Sequence, residues 1–143
     1  SDPFSGEVEI VFQRALGFEA GTIQYGPVER IRVEPSPADP ADGVDNDGNG
    51  LIDEGQVVWI ERAGELDERR HVLVRHVART AEGEVAGNGA DDNANGITDE
   101  GGFSLVWDTE TITVRLTLER AVTAAVTTRR TFERTVCFLN GGG

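Results

Sequence analysis

"GTIQYGPVERIRVE", residues 21–34, and its continuation "QVVWIERAG", residues 56–64, decide how this chain folds. In the first, apolar and polar side chains alternate with the period of two that marks a strand with one wet face, and Gly26-Pro27 marks a bend or an edge position. The second is rich in β-branched and aromatic residues and reads as the return arm of a hairpin with residues 29–34. Working outward, "GEVEIVFQ" (6–13) sets Val8, Ile10 and Phe12 against Glu7, Glu9 and Gln13. A short helix within residues 10–20 is the competing expectation there, weakened by Gly17 and Gly21. "RRHVLVRHVART" (69–80) fits a strand or a helix end, and its β-branching favours strand. Residues 101–120 hold two more strands, with Val114, Leu116 and Leu118 alternating with Thr113, Arg115 and Thr117, and residues 125–139 close the domain. Short strands at this spacing with almost no helical period imply a mainly β chain, an antiparallel sheet domain over residues 1–143.

Composition narrows the partners. With 143 residues there is room for one domain and a real core. A net charge of −13 and an isoelectric point near 4.4 repel phosphate backbones and anionic membrane surfaces, so nucleic acid is not an expected partner. No run of 18 apolar residues exists to span a membrane as a helix. The single Cys137 cannot close an intrachain disulfide and is expected as a small buried side chain on a strand. A start at Ser1 rather than Met carries the expectation that a leader or anchor has been removed.

Two acidic stretches interrupt the strands, "DGVDNDGNGLIDEG" (42–55) and "NGADDNANGITDEG" (88–101). Counted from Asp45, positions one, three and five are Asp45, Asp47 and Asn49; Gly50 is sixth, Leu51 seventh, Ile52 eighth and Asp53 ninth. This order resembles the first three-quarters of an EF-hand calcium loop. Ca²⁺ takes six to eight hard oxygen ligands at about 2.3–2.6 Å, and alternate side chains of a tightly coiled loop converge on one point. Gly at six permits the turn, the Leu51 carbonyl adds an oxygen, and Ile52 is expected to anchor the loop in the core. Gln56 stands where an EF-hand has its bidentate Glu, so Asp53, Glu54 and the upstream Asp42 are the candidate suppliers of the missing oxygens. The pattern is similar to the compact Asp-rich calcium loops of secreted modules, such as thrombospondin type 3 repeats and dockerins. In the second loop the candidates are Asn88, Asp91, Asn93, Asn95, Ile97 through its carbonyl, Asp99 and Glu100. Asn88 and Asn93 replace two Asp, and fewer charges mean lower affinity, so the expectation is two Ca²⁺ sites with the first stronger. Both inserts lie between strands, where metal would order them and stabilise the fold. Such loops suit a compartment with about millimolar Ca²⁺, which places the chain outside the cell or at its surface.

The order of strands resembles the globular domain of type IV pilin-like proteins, especially minor pseudopilins of type II secretion, over residues 20–140. The resemblance rests on Ile23 and Tyr25, Trp59 to Arg62, Val72 to Val77, Val114 to Leu118, and Leu139-Asn140. It implies a pilin-like head, or failing that a sandwich, and self-association into a filament. The apolar N-terminal helix that anchors that family's subunits is missing, so either it has been cut away or assembly uses another connector. Residues 1–13 are one candidate, as a strand donated to a neighbouring copy; the simpler expectation is that residues 6–13 form an edge strand at home.

Enzyme readings find little support. His71 and His76, five apart in a strand region, lie on opposite faces, and Ser1, Ser5, Ser36 and Ser104 sit in no nucleophile-elbow context. The close carboxylate pairs are claimed by the loops. Thr between residues 109 and 135 suits the wet face of strands. The leading expectation is a non-enzymatic, calcium-stabilised extracellular filament subunit. The alternative is a monomeric calcium-dependent adhesion or binding module for carbohydrate or protein.

Overall fold

The computed structural model describes residues 9–85, 87–94, 96, 98–107, 110–123 and 126–137. Seven strands follow in order: β1 (Glu9–Glu19), β2 (Thr22–Pro35), β3 (Gly55–Glu61), β4 (Arg69–Val77), β5 (Phe103–Trp107), β6 (Thr111–Thr123) and β7 (Val126–Cys137). All pair antiparallel in one sheet of order β1-β2-β3-β4-β6-β5, with β7 on the other edge of β6. The helix considered for residues 10–20 is strand β1, because cross-strand pairing with β2 from Glu9↔Arg32 to Glu19↔Thr22 overrides a weak local preference. The simpler expectation, an edge strand at home, is met over residues 9–13, which pair with β2; Glu7, Val8 and the rest of residues 1–8 lie outside the described residues, as do Leu139 and Asn140.

The expected hairpin forms, and its register runs from Arg30↔Ile60 to Pro35↔Gly55. The pairing with β1 steps from Gln13↔Val28 to Ala15↔Tyr25, so Gly26 and Pro27 together oppose Arg14 and the proline lies in a bulge, where no ladder N–H is required of it. Gln13 Nε2 then donates to the Gly26 carbonyl at 3.1 Å.

Two meanders make up the sheet, β1–β4 and β5–β7, and they join over a few residues. Val77 of β4 pairs with Leu118 of β6. Thr117 donates its N–H to the Gly102 carbonyl at 2.7 Å and accepts the Ala78 N–H at 2.9 Å. Gly102 has no side chain because none fits: a Cβ there would lie 1.8 Å from the Ala78 carbonyl oxygen. The core crosses this seam, with Val33, Val57 and Val77 from one meander packed with Phe103 from the other, and Ile31, Val74, Leu105, Val114, Leu116 and Leu118 around them.

Beyond the seam the outer strands are wet. Residues of β7 are exposed throughout, and Cys137 is exposed, not buried. The expected strand is there; the burial is not, because β7 pairs with β6 alone and, among the described residues, meets the rest of the chain only through polar contacts such as Arg129 with Thr80 and Thr131 with Glu82. Thr pairs line the β6–β7 ladder as expected of a wet face, Thr113 with Thr135 at 2.8 Å and Thr117 with Thr131 at 3.0 Å. On the first meander a polar cluster ties four strands: Trp59 Nε1 donates to the buried Glu29 at 2.9 Å, Arg14 pairs with Glu29 at 2.8 Å, and His71 lies against Trp59 while bonding Glu61 at 2.7 Å.

Candidate metal loops

Residues 36–54 join β2 to β3, and residues 78–102 join β4 to β5. The two loops share one backbone course. Left-handed residues match in pairs 46 positions apart by number: Gly43 and Gly89, Gly48 and Ala94, Gly50 and Gly96, Asp53 and Asp99. Glycine meets no Cβ penalty in that region, and Asp is among the side chains that tolerate it. Matching hydrogen bonds close each turn. Gly50 N–H reaches Asp45 at 2.9 Å and Gly96 N–H reaches Asp91 at 2.7 Å. Asp53 accepts the N–H groups of Asp42 and Gly43, and Asp99 those of Asn88 and Gly89. The necks close alike, Ser36 N–H to the Glu54 carbonyl and Ala81 N–H to the Glu100 carbonyl.

One exchange shows how strictly this turn is kept. In the first loop the Asn46 amide donates to Asp42 at 2.9 Å; in the second the Asn88 amide donates to Asp92 at 2.7 Å. Amide and carboxylate have traded places across the same bond.

The candidate ligands fall into groups. Asp53 and Asp99 act as staples, their oxygens turned to backbone N–H groups, with Arg79 adding a contact to Asp53 at 3.3 Å. Asp42 caps Val44 N–H at 3.0 Å, and Asn88 caps Ala90 N–H at 2.8 Å. Asp45 accepts from Gly48, Asn49 and Gly50, Asp47 from Asn49, and Asn49 from Leu51. A carboxylate has about four lone-pair directions, so these bonds leave room for a ligated ion. Asn95 and Ile97 lie outside the described residues. Asn93 sends its N–H to Glu84 at 3.1 Å and its side-chain amide to the Glu82 carbonyl. The anchor of the first loop is Leu51, 4% exposed, and not Ile52, 52% exposed; the left-handed turn at Asp53 follows directly and leaves the eighth residue on the wet side. Among the described residues no three or more His, Cys, Asp or Glu side chains gather into one metal-holding group.

Two buried carboxylates stand apart from the capping acids. Asp39, which the motif reading missed, is fully buried, and Glu54 is 2% exposed. Asp39 Oδ1 accepts the Asn46 N–H at 2.7 Å and Glu54 Oε1 the Asn49 amide at 2.6 Å, while Asp39 Oδ2 and Glu54 Oε2 are buried with no donor. Burial pushes the Glu54 carboxyl up to about 7, the neighbouring Asp39 adds to the rise, and Asn49 opposes it. Like charges side by side in a dry place need a proton or a cation between them. Asp39 and Glu54 would hold a divalent ion, and that ion would supply the positive charge the pair lacks. The signal for Asp39 was its place in "SPADPAD" (36–42), where two prolines fix the chain that carries it under the loop.

Comparison with protein-family models, with curated protein sequences and with solved structures gives no match.

Proposed function

We propose that this chain is a non-enzymatic, calcium-stabilised structural domain that works outside the cell or at its surface, as a subunit of a pilus-like filament. The observation that carries the calcium reading is the buried Asp39–Glu54 pair with an undonated oxygen on each side chain. The Asp-rich loop over it matches a calcium-loop pattern at seven of its first nine positions as the motif reads them, from Asp45 to Asp53. Support for assembly comes from the sheet edge: among the described residues nothing pairs with the outer side of β7, and Val126, Phe132 and Val136 are exposed along it. A long open edge is a template for another copy's strand. The pilin-like reading rests on the strand order and the residues quoted for it.

Thermal melts test the metal. Chelator should lower the melting temperature, and Ca²⁺ should restore it better than Mg²⁺, which demands a tighter octahedron. Free Ca²⁺ at a hundred times Kd adds about 2.7 kcal/mol per site by linkage. A melt indifferent to chelator ends the calcium reading, and electron micrographs of native material without fibres end the filament reading.

A second reading, a binding module for carbohydrate, is favoured by one feature. A groove of about 550 Å³ between the end of β4 and the β6–β7 hairpin is lined by Arg75, His76, Arg120, Arg130 and Phe132 together with the Arg129–Glu119 ion pair, a mainly basic surface with one aromatic ring on an acidic chain. Retention on an acidic polysaccharide column, lost in Arg130→Ala, would favour that reading.

A further inference from the structure

The two loops have the same turn but different surroundings. Under the first, Asp39 and Glu54 face each other without a cation from the chain; the nearest candidate, His76 Nδ1, is 3.7 Å from Glu54 Oε1 on a ring that is half exposed. Under the second, Glu84 takes the place of Asp39, and both its oxygens are used: Oε1 accepts the Asn93 N–H at 3.1 Å and Oε2 the Glu100 N–H at 3.3 Å. Glu100, the counterpart of Glu54, accepts the Ser104 hydroxyl and lies 3.7 Å from Arg115 Nη1. Arg115 is held there from behind, its Nε bonded to Glu133 at 2.6 Å. Four residues after Glu54 the chain has the buried Val58, where Ser104 follows Glu100 at the same interval; Val58 has no hydroxyl to offer.

We infer that the loops have divided their roles: the first is a divalent-cation site completed by Asp39, a ligand from outside the repeated motif, and the second is a copy in which the Arg115 guanidinium takes the cation's place against Glu100. The inference rests on the calcium reading above and sharpens it. Ligand charge sets the affinity of such a site, and the first loop carries Asp39, Asp45, Asp47 and Glu54 along its sequence where the second carries Glu84, Asp91 and Glu100, two of these three being buried and already bonded. An arginine fixed by a second carboxylate is a permanent counter-ion that neither chelator nor dilution removes.

Calorimetric titration of the full chain with CaCl₂ tests this. The wild type should show a single binding event, Asp39→Asn should weaken it by about tenfold or more, and Glu84→Gln should leave it within about twofold. Arg115→Gln should add a second binding event and make the melting temperature more sensitive to chelator. Asp39→Asn keeps an acceptor for the Asn46 N–H; should it fail to fold, Glu54→Gln takes its place with the same expected loss. Two equal events in the wild type, or equal losses in Asp39→Asn and Glu84→Gln, would overturn the division while leaving calcium binding intact. No calcium heat in the wild type, with no response of the melt, removes the calcium reading and this inference with it.

Discussion

The first and second acidic loops trace the same turn, down to the paired left-handed residues, yet one rests on two neighbouring buried carboxylates and the other sets an arginine against its buried glutamate. Turn geometry is set by backbone N–H groups and the short Asp and Asn side chains that cap them, and it survives the exchange of Asp42 and Asn46 for Asn88 and Asp92. Charge balance is set by what the sheet places behind the turn. A loop motif therefore reports shape first and chemistry second.

The largest effect should come where the second loop enters the sheet. Gly102→Ala drives a Cβ into the Ala78 carbonyl and should cost about 3 kcal/mol or more, read from urea unfolding. Gly89→Ala, with nothing near its Cβ, should cost only the strain of its left-handed backbone, about 1–2 kcal/mol. Equal costs would show that the seam yields. Next comes the anchor of the first loop: Leu51→Ala should lose about 2–4 kcal/mol, and Ile52→Ala should stay within about 0.5 kcal/mol. The reverse order would mean that the loop packs by its eighth residue after all.

A smaller effect separates the loops by pH. Folding raises the Glu54 carboxyl from 4.5 to about 7, so the folded chain holds a proton that the unfolded chain has released. Its contribution is full below about 4.5 and is lost as pH rises through 7. Cation-free protein should therefore melt lower at about pH 8 than at about pH 5, and Glu54→Gln should flatten that slope where Glu100→Gln does not. The smallest effect is a control remote from the paired carboxylates, the Glu34–Arg70 ion pair on the sheet. Burial raises the Glu34 carboxyl, but bonds to Arg70 and Gln56 and the charges of Arg70 and Arg32 together hold it below the usual 4.5. That contribution is present above 4.5 and fades as pH falls through the lowered value. Arg70→Ala should cost about 0.5–1 kcal/mol, less in high salt.

Alternation made the sheet legible from the residues alone. Ile10 and Phe12 are half-buried where Glu9 and Gln13 are exposed, and the β2–β3 register follows from matching "ERIRVE" to "QVVWIE". What alternation does not encode is how many layers cover a strand, which is why Cys137 was expected inside. In the loops, the capping acids and glycines were visible because they act within a few positions. Asp39, Glu84 and Arg115 were not, because they reach the loops through the fold: Glu100 meets an arginine fifteen places on only once β6 lies beside β5.

The seam at Thr117 also governs how the chain comes apart. Within each meander, neighbouring strands are neighbours in sequence, whereas the contacts of Thr117 with Ala78, and of Val77 with Leu118, link distant parts of the chain. The first meander supplies three of the four buried residues of the central cluster and the second supplies Phe103, so separating them leaves both sides with exposed core. Opening the seam and unfolding the protein are then the same event. The amide protons of Ala78 and Thr117 should exchange with solvent deuterium only at the rate of global unfolding, while those along the exposed tip of the β6–β7 hairpin exchange through local fraying.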